Sequence, residues 1–238
     1  MISERLQLIL KLMNQERDEK YTVAEFSKLL KLKKVRDLEK YFLNEEEPTF
    51  KFLKKLSNEF AINIRWLTEG KEHPFKYDAD IYPQLYDDCI KKIEEVNPEI
   101  IYFVRADSLQ GETCILLEVN SHRFIVLNYF VHFSRQNGSG GANQLIELRK
   151  LIMTLILEKK YITKGLIVPE KIFNDLYEGR IHPLTALCKK RGKFQHWHDD
   201  FTDIHNVRCG YQHHSEYDQN FKDAFNIVKV YIEKYGEC

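Results

Sequence analysis

Apolar residues in the first third of the chain recur at three- and four-residue intervals. Ile2, Leu6, Ile9, Leu10 and Met13 fall on one face of a helix. Thr22 opens a second helix: it can cap the N-terminus, and Glu25 three residues on completes a capping box. Val23, Phe26, Leu29 and Leu30 form its inward stripe. A third helix covers about 34–43, with Val35, Leu38 and Phe42 inward, Asn44 suited to a left-handed cap and Pro48 blocking continuation. Leu53, Leu56 and Phe60 mark a fourth helix, and "NIRWLTEG" a short fifth that ends at Gly70. Residues 1–75 thus read as an all-α unit of five helices, followed by a linker, "KEHPFKYDAD".

Beyond the linker the period changes. A helix is predicted over 82–96, and then "EIIYFVRA", "TCILLEV" and "RFIVLNYF" read as strands rich in Ile, Val, Phe and Tyr. The connections "DSLQGE" and "NSH" are short enough for hairpins, which predicts an antiparallel meander of about three strands. "SRQNGSGGAN" reads as a loop, 143–159 as a buried helix, and the remainder as short helices and loops. A last helix near 218–235 aligns Phe221, Ala224, Phe225, Val228 and Ile232. The expected fold class is multidomain: the five-helix unit, then an α+β domain over 80–238 with that small antiparallel sheet and several helices. The chain shows no internal repeat.

Composition adds little until charge is located. The 238 residues carry 36 Lys and Arg against 36 Asp and Glu, so only the distribution of charge speaks about partners. No apolar run reaches the ~18 residues of a membrane span. The first fifteen residues lack the order of a signal peptide. Cys89, Cys114, Cys188, Cys209 and Cys238 form no CxxC pair, and a reducing cytoplasm is the expected location. Between Lys28 and Lys40, however, six of thirteen residues are basic, and Glu45, Glu46 and Glu47 follow.

That cluster falls on two predicted helices joined by a tight turn, the helix-turn-helix arrangement, whose second helix suits the major groove. With Val35, Leu38 and Phe42 inward, Lys34, Arg36, Asp37 and Lys40 lie outward and Lys33 sits at the turn. Arginine's planar fork suits guanine, and lysine suits guanine or phosphate. Thr22 and the backbone amides beside it are placed to hold a phosphate. Charge alone favours a merely solvated surface; the order of elements changes that balance. "TVAEFSKLL", "KVRDLEKYF", "NEEEPTFKFLKKLS" and "INIRWLTEG" together resemble the phage-repressor (Cro/lambda-repressor-like, XRE) helix-turn-helix family over residues 1–75. Lys31 stands where that family commonly has glycine, and Ser27 where it has a small alanine. The three glutamates are expected to project to the side, away from DNA.

The resemblance implies a regulator, a repressor acting as a homodimer on two-fold symmetric double-stranded DNA. It further implies dimerisation or sensing of a small-molecule or protein signal by residues 80–238. In that region, His196, His198 and Asp199 or Asp200, with His205 or Cys209, could form a zinc shell, but their spacing fits no standard structural zinc pattern. "FSRQNGSGGANQ" lacks the phosphate-loop ending, and Arg105, Asp107 and Glu118 are too loosely spaced to make a nuclease set. No catalytic residue, metal ligand, cofactor or membrane partner is therefore assigned. The competing readings are an effector enzyme (a metal-dependent hydrolase or nuclease-like protein) with a regulatory helical module, and a protein-binding adaptor.

Overall fold

A computed structural model describes residues 1–76, 86–135, 139–204 and 216–236. The chain begins with α1 (Ile2–Met13), α2 (Val23–Leu29), α3 (Arg36–Phe42), α4 (Phe50–Phe60) and α5 (Ile64–Glu69). Their boundaries follow from capping chemistry. The Thr22 hydroxyl accepts from the Glu25 amide, and the Glu25 carboxylate accepts from the Thr22 amide. Thr49 caps α4, and the Asn63 side chain accepts from the Arg65 and Trp66 amides at the start of α5. Asn44 (φ 59°), Ala61 (φ 50°) and Gly70 (φ 77°) take the left-handed turns that end α3, α4 and α5. The helices enclose a core of Leu6, Ile9, Met13, Phe26, Leu30, Leu38, Phe42, Leu53, Leu56, Phe60 and Leu67. Val35, expected inward, is instead 39% exposed. It stands at the N-cap of α3, ahead of the inward residues Leu38, Tyr41 and Phe42.

After α6 (Tyr86–Val96), the strands β1 (Ile100–Asp107), β2 (Glu112–Asn120) and β3 (Arg123–His132) pair antiparallel in sequence. The expected antiparallel three-strand sheet is nevertheless incorrect. β4 (Thr163–Pro169) lies parallel to β1, and β5 (Lys193–Phe194) antiparallel to β4. The result is a mixed five-stranded sheet in the order β3-β2-β1-β4-β5. On one face Ile101, Phe103, Ile115 and Leu117 pack with α6, α7 (Ser139–Met153), α10 (Trp197–Thr202) and α11 (Gln219–Tyr235). On the other, Tyr102, Val104, Cys114, Leu116, Leu166 and Val168 meet α8 (Glu170–Tyr177) and α9 (Leu184–Leu187). Helices on both faces explain why the strands read as unbroken apolar runs. The predicted 143–159 helix starts earlier, taking Gly140 and Gly141 from the supposed loop, and closes in a π-helical turn, Thr154–Glu158.

The helical unit packs against the sheet. His122, in the β2–β3 turn, bonds Glu59 of α4 at 3.0 Å and meets the edge of the Phe60 ring. Arg17 donates to the Ser121 carbonyl, and the Phe75 amide to the Gly179 carbonyl at 2.9 Å. His182 lies edge-on between Phe75 and Phe124.

Candidate nucleic-acid interface

α2 and α3 are held by a compact turn. The Leu32 amide donates to the Ser27 carbonyl at 3.0 Å, and the Ser27 hydroxyl donates to the Lys34 carbonyl at 3.3 Å. Lys31 sits at φ 51°, the left-handed region for which glycine is the natural occupant. The turn and its approaches hold Lys28, Lys31, Lys33 and Lys34, all exposed. Among the described residues no carboxylate pairs with any of the four.

The outward cations of α3 are differently placed. Arg36 is 61% exposed, but its guanidinium meets Glu45 at 2.5 Å. Lys40 meets Glu46 at 2.8 Å, and that hydrogen bond raises its pKa above the usual ammonium value. The amides of Glu45 and Glu46 both donate to the Lys40 carbonyl, which turns the acidic loop back onto the helix. The expectation that these glutamates project to the side is corrected: two of them neutralise the helix they follow. Asp37, half-buried in the first turn of α3, adds another negative charge. Thr22 is exposed, but its hydroxyl and amide are engaged with Glu25, so a carboxylate already occupies the end of α2 assigned to a phosphate. Of the six residues expected to contact DNA, Lys33 and Lys34 thus present unneutralised charge, Arg36 and Lys40 present paired charge, Thr22 is engaged by the Glu25 carboxylate, and Asp37 is itself a carboxylate. Lys28 and Lys31 were not assigned, although their place in the basic run was visible.

The other candidates disperse. His198 is buried, stacked on Phe103, with Nε2 3.0 Å from the Thr163 hydroxyl. Burial pushes its pKa down to about 3. Asp200 is buried and accepts from the Tyr217 hydroxyl at 2.5 Å. His196 instead lines a surface recess. Among the described residues no group of His, Cys, Asp and Glu is arranged to hold a metal; His205 and Cys209 lie outside those residues. Arg105 is buried: it pairs through both terminal nitrogens with Asp218, and its guanidinium packs against the Phe133 and Trp197 rings, 5.3 Å and 5.7 Å from their centroids. Glu118 accepts from the Tyr102 hydroxyl at 2.6 Å, so Arg105, Asp107 and Glu118 form no common site. No described helix is long and apolar enough to cross a membrane.

No protein-family model, curated protein or solved structure matches the chain. The likeness of residues 1–75 to phage repressors therefore rests on the residues quoted for it.

Proposed function

We propose that the chain is a sequence-specific regulator of transcription, a repressor that binds double-stranded DNA as a homodimer. The observation that carries this reading is the set of four exposed lysines around the α2–α3 turn, with no carboxylate paired to any of them among the described residues. Lysines there meet phosphate as point charges and release counterions. Arg36 and Lys40 join only after exchanging Glu45 and Glu46 for DNA. Exposed ion pairs are weak, so that exchange is feasible. It also makes the acidic loop a brake on affinity. One unit contacts few base pairs; two-fold pairing places two of them on half-sites about 34 Å apart.

The test begins with selection of bound duplexes from a random pool, with inverted symmetry expected in the survivors. On the selected duplex, the Lys33→Ala, Lys34→Ala double variant should bind more weakly and lower the salt slope by about two, near one per phosphate contact. Glu45→Gln with Glu46→Gln should tighten binding. Unchanged affinity in both pairs would refute the assigned surface. One observation favours a protein-binding adaptor as the second reading: Leu43 and Phe50 are 59% and 81% exposed on either side of the acidic loop. Failure to retain any duplex at low salt would favour that alternative.

A further inference from the structure

The densest basic run outside the helical unit is "KKRGKFQH", residues 189–196, which contains no acidic residue. It forms the edge strand β5 and its approach. Lys189, Lys190 and Lys193 are exposed and have no ion pair among the described residues, whereas Arg191 meets Glu16 at 3.3 Å. Within this basic run Phe194 is 43% exposed. It stands over a recess of about 310 Å³ between β4 and β5, lined by Lys164, Gly165, Phe194, Gln195 and His196. Gly165 is what lets the chain close there: a Cβ at that position would lie 2.2 Å from the Gln195 carbonyl oxygen and 2.8 Å from His198 Nδ1. Lys164 Nζ lies over the Tyr102 ring at 5.7 Å, and that ring is 6.3 Å from Phe194. The nearby carboxylate, Glu118, is engaged by the Tyr102 hydroxyl.

Lysines on an edge strand are commonly there to prevent pairing with other sheets. That role does not account for an exposed aromatic ring or a recess beside it, both of which work against such protection. A duplex keeps its base faces stacked and offers nothing to a ring; an unpaired base offers a π-face and a flexible phosphate backbone. We propose that this edge binds single-stranded nucleic acid, with a base stacked on Phe194 at the recess and the phosphates tracking Lys164, Lys189, Lys190 and Lys193. The site is separate from the α2–α3 turn and does not depend on the reading given to that turn.

The test is fluorescence anisotropy of the full chain with labelled twelve-nucleotide oligo-dT and oligo-rU, and with a duplex of equal length, across a salt series. The wild-type chain should bind the single strands more tightly than this arbitrary duplex. Phe194→Ala should weaken single-strand binding about 5- to 100-fold, the range for one base–aromatic stack. Lys190→Ala with Lys193→Ala should lower the salt slope by about 1.4, near 0.7 per contact on a single strand. Lys33→Ala with Lys34→Ala should leave single-strand binding unchanged. Because Phe194 and the lysines are exposed, these variants should keep the wild-type circular dichroism. No single-strand binding at low salt, or full affinity in Phe194→Ala, would overturn the proposal. Binding of oligo-dT or of oligo-rU supports it, and their ratio gives the sugar preference.

Discussion

Two buried histidines show what single residues contribute here. His182 is edge-on to Phe75 of the helical unit and to Phe124 of β3, and burial, helped by the charge of Arg17, pushes its pKa down to about 3. His198 is held down to a similar value by burial. Both imidazoles are therefore neutral in the folded chain at neutral pH, while their unfolded counterparts titrate near 6.5. Protons then favour the unfolded state, and the stability from these sites is complete above about pH 6.5 and lost as pH falls toward 3. Denaturant unfolding measured between pH 7 and 4.5 should show stability decreasing with acid. His182→Asn, which keeps an acceptor for the 3.4 Å bond from the Leu184 amide but does not titrate, should flatten that slope. An unchanged slope would mean that His182 protonates without cost.

At the level of elements, the α2–α3 turn stores a small strain. A non-glycine residue in the left-handed region costs roughly 1–2 kcal/mol, partly offset because glycine loses more freedom on folding. Lys31→Gly should therefore raise stability by up to about 1 kcal/mol while weakening duplex binding through the lost charge. A lower melting temperature would show that the Lys31 side chain supports the turn. This position was legible through the family resemblance, which places glycine there. Helix ends were legible directly: Thr22 with Glu25, Asn44, and Gly70 carry local chemistry that acts within a few residues. The sheet was not. "IIYFV" and "CILL" were read as meander strands, yet a run apolar on both faces signals a central strand covered by helices on each side. β4 escaped because "KGLIVP" is short and its partner, β1, lies some sixty residues earlier. Parallel pairing leaves no turn signal to find. Likewise, the return of Glu45 and Glu46 onto α3 depends on where the chain turns after Leu43, which charge order alone does not specify. The run "KKRGKFQH" is visible in the sequence, but its charge alone does not distinguish it from a solvated surface; the recess beside Phe194 does.

Across the whole molecule, the helical core and the two cores of the sheet are joined by a narrow set of contacts, and Gly179 is the one with least tolerance. It has φ 73°, and a Cβ there would lie 2.1 Å from the Lys76 amide nitrogen and 2.5 Å from the Phe75 carbonyl carbon. Backbone passes directly over backbone, and neither side has a flexible side chain that could yield. Gly179→Ala must therefore push the 75–76 segment away, breaking the Phe75 amide bond and withdrawing Phe75 from His182. Backbone strain of this kind costs about 1–3 kcal/mol before the steric displacement is added. Each core is contiguous within itself, so the expected result is decoupling rather than collapse. Thermal unfolding should separate into two transitions, or its single transition should broaden, and protease should cut between the helical unit and the sheet. Gly140→Ala is the matched control: nothing lies within 4 Å of its Cβ, and alanine inside α7 should stabilise by about 0.5–1 kcal/mol. If Gly179→Ala melts in one sharp step at the wild-type temperature, the helical unit is held to the sheet without the 75–76 segment, by contacts that include Glu59–His122, Arg17–Ser121 and Glu16–Arg191. The turn proposed to read DNA and the site proposed on the sheet edge would then be coupled through those contacts rather than through the segment that links them.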